Sequence, residues 1–199
     1  MNHLSEVHEL KNRYYIMRHG QSKANLRQII ISHPLNGTHE DYSLTELGRS
    51  QAEASAGGSP LTEDTVIYSS DFSRAKETAE IVRMALGSAP VQITELLRER
   101  NFGDFEKTDH ANYHQVWEFD KDSADHNNSN VESVNSVSDR ATRLITDLED
   151  KYEAEEILLV SHGDTLQILQ TGFQKIDPTQ HRSLQHLETA EIRQMQLAD

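Results

Sequence analysis

Short apolar runs alternate along the chain with longer stretches in which apolar residues recur every three or four positions. The first pattern is that of buried strands and the second that of amphipathic helices. Tyr14-Tyr15-Ile16-Met17, Val66-Ile67-Tyr68, Val91-Gln92-Ile93 and Ile157-Leu158-Leu159-Val160 predict strands. Thr45 is placed to cap a helix from Glu46 to Ala56, which Gly57-Gly58-Ser59-Pro60 would stop. Ala75, Ala79, Val82 and Leu86 predict a second helix from Phe72 to Leu86, with Gly87 at its C-terminal end. Val137, Ala141, Leu144, Ile145, Leu148 and Tyr152 form a third helical stripe with Ser136 as its expected cap. A helix from Thr165 to Thr171 should follow the Ile157 strand, and Glu188 to Met195 reads as a last, edge-like strand. Strands alternating with helices imply an α/β fold with a mostly parallel sheet. We expect one domain over residues 1–199, with an N-terminal arm at 1–12 and a cap or loop insertion at about 104–135. Asp120 to Asn135, rich in Asn, Ser and Asp, reads as a surface loop within that insertion.

Composition narrows the function classes. The chain has 33 acidic and 19 basic residues and a formal net charge of −14. That balance argues against a nucleic-acid or anionic-membrane binder, since both need a basic face. Without cysteine there is no disulfide scaffold, thiolate zinc site or cysteine nucleophile. No apolar run is long enough for a membrane span, and Met1 to Lys11 lacks the apolar core of a secretory signal, so a cytoplasmic location is expected. At face value the acidity would also disfavour a phosphorylated substrate.

The strand exits point the other way. In open α/β sheets, ligands bind beyond the carboxyl ends of the strands. Arg18-His19-Gly20-Gln21-Ser22 follows the first strand, Ser69-Ser70-Asp71-Phe72-Ser73-Arg74 the second, and Ser161-His162-Gly163-Asp164 the Ile157 strand. Two arginines and two histidines are thereby delivered near helix starts, where free N–H groups favour anions. Each feature alone has a blander reading, as a surface arginine or a hydrogen-bonding histidine. Their convergence on one sheet edge is what makes an anion site.

These residues carry a family resemblance. Ile16-Met17-Arg18-His19-Gly20-Gln21-Ser22-Lys23-Ala24-Asn25 resembles the N-terminal signature of the histidine phosphatase superfamily, the phosphoglycerate-mutase-like proteins. Ser43-Leu44-Thr45-Glu46-Leu47-Gly48 with Gln51-Ala52, the run from Ser69 to Ala79, Leu97-Arg98-Glu99-Arg100-Asn101-Phe102-Gly103 and Val160-Ser161-His162-Gly163 resemble four further motifs, in the family's order. The resemblance implies a three-layer sandwich with helices on both faces of the sheet. It implies His19 as the nucleophile that forms a phosphohistidine, and Arg18 and Arg74 as forked donors to the phosphoryl oxygens. It implies His162 as a further donor, in its charged form, and Glu99 as the general acid. Asn25, Gln21 and Gly163 would bind phosphate through side-chain or backbone N–H groups. Glu99 needs a raised pKa for that role; the alternative is that it merely pairs with Arg98 or Arg100. No metal or cofactor is implied, and the spacing of the eleven histidines matches no metal motif. His3, His8, His33, His39, His181 and His186 are expected at the surface.

The chain departs from the family pattern at Glu106-Lys107, where the family often has Glu-Gly, and at Ser43, where it usually has proline. Lys107 either meets a negative distal part of the substrate or lies on the surface. Mutases of the family are generally longer between the acid and the second histidine motif, which favours a phosphatase here. A phosphoglycerate mutase and a non-catalytic phospho-ligand binder are the alternatives. The expected partner is a small phosphorylated metabolite whose leaving group meets Leu26 to Asp41 and Glu106 to Asn135. Ile29, Ile30 and Ile31, and Tyr113 and Trp117, are either walls of that site or core.

Overall fold

Five strands form one sheet in the order β3-β2-β4-β1-β5 in the computed structural model, which describes residues 1–198. In chain order the elements are β1 (Arg13–Arg18), α1 (Lys23–Leu26), α2 (Pro34–Gly37), α3 (Glu46–Gly57), β2 (Val66–Ser69) and α4 (Ser73–Leu86). There follow β3 (Gln92–Ile93), α5 (Tyr113–Asp122), α6 (Val134–Lys151), β4 (Glu156–Ser161), α7 (Gly163–Gln174) and β5 (Ile192–Gln194). β2, β4 and β1 run parallel, with β3 parallel to β2, and β5 alone is antiparallel, beside β1.

The alternation of side chains along each strand builds two cores. Tyr14, Ile16, Ile157 and Leu159 face α6 and α7, where Ala141, Leu144, Ile145, Leu166, Leu169 and Phe173 meet them. Tyr15, Met17, Ile67, Leu158 and Val160 face α3 and α4, against Ala52, Ala56, Ala75, Ala79 and Val82. The central strand β4 is buried on both faces, so its sequence is continuously aliphatic rather than alternating. Each such side chain contributes about 1.5–3 kcal/mol. The result is the expected three-layer α/β sandwich with helices on both faces of the sheet.

β1 continues through short elements to α3 on one face, and β4 leads into α7 on the other. A crevice therefore opens between the carboxyl ends of two adjacent parallel strands, at a topological switch point. Register places Arg18 opposite Ser161 and Ser69 opposite Val160, so all three motif-bearing exits share one edge.

Local boundaries differ from the sequence reading in three places. Ser133, not Ser136, caps α6: its hydroxyl accepts from the Ser136 N–H at 3.1 Å, because fully buried Val134 draws the helix start upstream. The surface loop expected from Asp120 to Asn135 is only partly that. α5 runs to Asp122, and Asp120 is 0% exposed, since its carboxylate binds a buried arginine. Val131 and Val134 are also buried. The last strand is shorter than read, because Ala190 takes a left-handed turn (φ 62°) just before it.

Lys107 also adopts left-handed geometry (φ 62°), at the position where the family pattern has glycine. Its side chain is exposed and does not line the site described below, and its N–H donates to the Ile30 carbonyl at 2.8 Å. A left-handed non-glycine residue costs about 1–2 kcal/mol, against roughly 0.5–1 kcal/mol for the entropy glycine loses on folding. Lys107→Gly is therefore expected to stabilise the fold by up to about 1 kcal/mol, raising Tm by roughly 2–4 °C. Thermal denaturation followed by circular dichroism checks this, and a lower Tm would mean that the lysine relieves no strain on leaving.

Candidate active site

A cavity of about 290 Å³ opens at the shared strand edge, lined by Arg18, His19, Arg74, Glu99, Tyr113 and Trp117 among others. Its base is set by β1. The His19 N–H continues the ladder to the Ser161 carbonyl at 3.0 Å, which fixes the imidazole at the crevice. His19 Nδ1 lies 2.7 Å from the Gly20 carbonyl oxygen. A carbonyl only accepts, so Nδ1 carries the proton and Nε2 keeps its lone pair. Arg74 Nε donates to that Nε2 at 3.0 Å. Burial, then the charges of Arg74 and Arg18, hold the His19 pKa well below its ordinary value. At neutral pH the residue is an uncharged imidazole, the form a nucleophile needs, with its one nitrogen pair accepting from Arg74 Nε.

Two glycines make this placement possible. A Cβ on Gly20 would stand 2.3 Å from the Gly48 carbonyl oxygen, and one on Gly48 would stand 2.1 Å from that of Gln21. The exit of β1 and the first turn of α3 thus touch backbone to backbone, which any side chain would prevent.

The arginines supply the cationic part. Arg74, 4% exposed, enters from the first turn of α4, where Nη2 donates to the Ile31 carbonyl at 3.0 Å. Arg18 Nη1 donates to the Leu187 carbonyl at 2.9 Å. Among the described residues, Arg74 Nη1 and Arg18 Nε are buried with no hydrogen-bond partner. Buried guanidinium donors without acceptors are costly and rare, so two of them around one imidazole mark a place for an anion. The helices agree. α1, α2, α3 and α6 have side-chain caps, whereas α4, α5 and α7 have none, and the first turns of all three carry residues that line the cavity, Arg74, Tyr113 and Gly163. Gly163 lines the cavity as the first residue of α7, where its N–H has no intrahelical acceptor.

His162 stands against the His19 ring at 5.2 Å between centroids, and is fully buried. Its Nε2 meets the Ser70 hydroxyl at 3.0 Å, and Nδ1 has no partner among the described residues. Burial first, then Arg74 and His19, push its pKa well below the ordinary value. The surroundings of the ring thus favour the neutral form, against the charged form expected from the sequence.

Glu99 is 8% exposed and lines the cavity. Its Oε1 accepts from the Arg100 N–H at 3.0 Å and from the Thr165 N–H and hydroxyl, both at 3.2 Å. Oε2 is left for a proton. Burial, then the charge of Asp164, raises the Glu99 pKa, with Arg74 and the two backbone N–H groups opposing. The alternative that Glu99 pairs with a neighbouring arginine is overturned. Arg98 binds Asp71 at 2.6 Å and Glu95 at 3.0 Å, and Arg100 binds Asp120 at 2.8 Å and Asp164 at 3.2 Å.

Asn25 lines the cavity, and its Oδ1 is fixed by the Ser22 N–H and hydroxyl, both at 2.9 Å, so its amide N–H₂ is the group left free. Gln21 is not brought to the cavity. Its Oε1 takes the Thr45 hydroxyl at 2.8 Å and its N–H donates to Gln51 Oε1 at 2.9 Å. The Gly20 N–H is likewise occupied, by Thr78 Oγ1 at 3.1 Å. Ile29 and Ile31 line the cavity while Ile30 is core, and Tyr113 and Trp117 line the facing wall.

Sequence reasoning missed what lies behind this wall. Trp117 Nε1 donates to Asp164 at 3.0 Å, and Asp120 binds both Arg100 and His126, the latter at 2.6 Å. His181, expected at the surface, is 0% exposed, 3.6 Å from Asp120, because the segment after α7 folds back onto this cluster. Ser70 and Thr78 lay inside recognised motifs, but nothing in the sequence said which backbone or ring atoms they would hold.

The arrangement can attack a phosphoryl group with an uncharged nitrogen, neutralise its oxygens with guanidinium, and protonate a leaving group. Comparisons with known proteins show the family and the fold. The family model of the histidine phosphatase superfamily (branch 1) matches residues 14–199. Phosphoglycerate mutase-like protein 4 of Arabidopsis thaliana is 29% identical over 161 residues, covering 77% of this chain and 67% of that one. A probable phosphoglycerate mutase of Escherichia coli is 30% identical over 159 residues, covering 76% and 70%. Among solved structures, a mycobacterial glucosyl-3-phosphoglycerate phosphatase superposes with a TM-score of 0.76 at 26% identity, covering 92% of this chain and 90% of that one.

Proposed function

Because the chain belongs to the histidine phosphatase superfamily (branch 1), we propose that it hydrolyses small phosphomonoesters through a phosphohistidine intermediate. The observation that carries this reading is the single environment of His19: a fixed tautomer, an unprotonated Nε2 whose pair accepts from Arg74 Nε, and two arginines with further, unpaired buried donors beside it. His19 Nε2 attacks phosphorus in line, forming the N–P bond as the bond to the leaving oxygen breaks. Arg18 and Arg74 take the phosphoryl oxygens, with the free amide N–H₂ of Asn25 and the Gly163 N–H as neutral donors. His162 adds Nδ1–H in its uncharged form. Glu99 delivers its proton to the departing alkoxide, then as a carboxylate takes one from the water that attacks phosphohistidine.

Hydrolysis is favoured over mutase chemistry because the mouth is wet. Asn25, Gln28, His110 and His186 line the cavity and are all exposed. A mutase must keep water from its phosphoenzyme. Glu99 and His19 also speak against a binding protein without turnover, which would need neither. Among the described residues no helix is long and apolar enough to cross a membrane.

The test is a panel of phosphomonoesters, p-nitrophenyl phosphate included, assayed with EDTA present. Release of inorganic phosphate is expected, with a trapped phosphoenzyme that is acid-labile and base-stable. Isomerisation of phosphoglycerate without phosphate release would establish the mutase instead. A base-labile, acid-stable adduct would remove the histidine.

A further inference from the structure

Arg182 stands out by what it lacks. Six of the twelve arginines bind a carboxylate within 2.9 Å: Arg49, Arg83, Arg98, Arg100, Arg140 and Arg193. Of the other six, Arg18, Arg74 and Arg182 line the cavity, while Arg13, Arg27 and Arg143 lie outside it. The first two are accounted for by the phosphoryl group. Arg182 is not.

Its position is built. The guanidinium carbon lies 3.7 Å from the centroid of the Trp117 ring, and Trp117 in turn stacks on Tyr113, with ring planes 9° apart. Nη1 donates to the amide oxygen of Gln167, a neutral acceptor. The nearest carboxylate, Asp164, is 3.9 Å away and is already held by Arg100 at 3.2 Å and by Trp117 at 3.0 Å. The Arg182 side chain is 32% exposed. A guanidinium stacked on one face and tied at one edge keeps Nε and Nη2 in a fixed fork, the geometry that carboxylate and phosphate oxygens match.

We propose that Arg182 is a specificity-determining residue, selecting phosphomonoesters whose leaving group carries a second anionic group that the Arg182 fork binds. The substrate then spans the cavity, with its phosphoryl group at His19 and its second anion at the Trp117 wall. The inference rests on the phosphatase reading for its kinetic assay.

The experiment compares three short alkyl phosphates: glycerol 3-phosphate, 3-phosphoglycerate, which replaces an alcohol by a carboxylate, and 1,3-propanediol bisphosphate. kcat/KM is measured for the wild-type enzyme, Arg182→Gln and Arg182→Lys. A charge-assisted hydrogen bond to a partly buried group supports a preference of about 10- to 100-fold for one of the two dianchored esters over glycerol 3-phosphate. Which of the two it is identifies the second anion. Arg182→Gln should bring that ratio close to one, and Arg182→Lys should retain part of it. A merely structural role would lower all substrates together and leave the ratio intact, which would overturn the proposal, as would a wild-type ratio near one. The same pairs are titrated by calorimetry into His19→Ala protein with and without Arg182→Gln. If no ester is hydrolysed by folded wild-type protein, the phosphatase reading fails, and the calorimetric ratio still decides the role of Arg182.

Discussion

His19→Ala is expected to lower kcat on every phosphomonoester by about 10⁴-fold or more while leaving the far-ultraviolet circular dichroism unchanged. Removing an enzymatic nucleophile can cost up to about 10⁶ in kcat, because the remaining groups cannot form the covalent intermediate. The fold should survive because the strand ladder at this position uses the backbone N–H of His19, not its ring. Deleting the imidazole also frees Arg74 Nε, which adds one more unpaired donor and should tighten binding of inorganic phosphate. Activity retained within tenfold of wild type would remove His19 as the attacking group.

The second large effect separates substrates by leaving group. Glu99→Gln should slow alkyl phosphates by about 10²–10⁴-fold, the usual worth of general-acid catalysis, and p-nitrophenyl phosphate far less, since nitrophenolate departs without a proton. Equal losses on both would assign Glu99 a structural part instead. The pH profile gives the sign independently. Glu99 must be protonated at the start of the reaction, and its pKa is raised, so activity on alkyl phosphates should fall as pH climbs through a value above the ordinary carboxylate range. His19 must be uncharged, and its pKa is lowered, so the acid limb should lie below the ordinary histidine range. The alkaline limb should vanish in Glu99→Gln and the acid limb should persist.

Much of this was legible in the residue order because it depends on local pattern. Period and run length placed β1, β2, β4, α3 and α4, and the chemistry at three strand exits followed from where strands end. His19, Arg18, Arg74, Glu99 and Asn25 all reach the cavity wall. What could not be read was partner choice across the chain. Gln21 carries the right groups for phosphate, yet Thr45 and Gln51 take them first. His162 is where the motif puts it, but its burial against Phe72 and the charge of Arg74, which hold its pKa down, are properties of the packed edge. Asp120 sits in a polar stretch that looks like loop, and only Arg100, 20 residues earlier, makes it buried. Arg182 lies in an unremarkable polar segment, and its role depends on Trp117, far away in sequence.

The buried cluster around Arg100 bears on how substrate comes and goes. Asp120 belongs to α5, which also contributes Tyr113 and Trp117 to the cavity, and both ends of the Arg100–Asp120 pair are 0% exposed. Swinging α5 outward would leave the guanidinium with only Asp164 and the Glu132 carbonyl, and stranding one member of a buried pair outright costs about 3–5 kcal/mol, an upper bound here. At tenfold per 1.4 kcal/mol, that upper bound corresponds to an opened form in about one molecule in a hundred to a few thousand. The pair thus holds the helix over the site as a wall, and the solvent-exposed part of the cavity lining is Asn25, Gln28, His110 and His186.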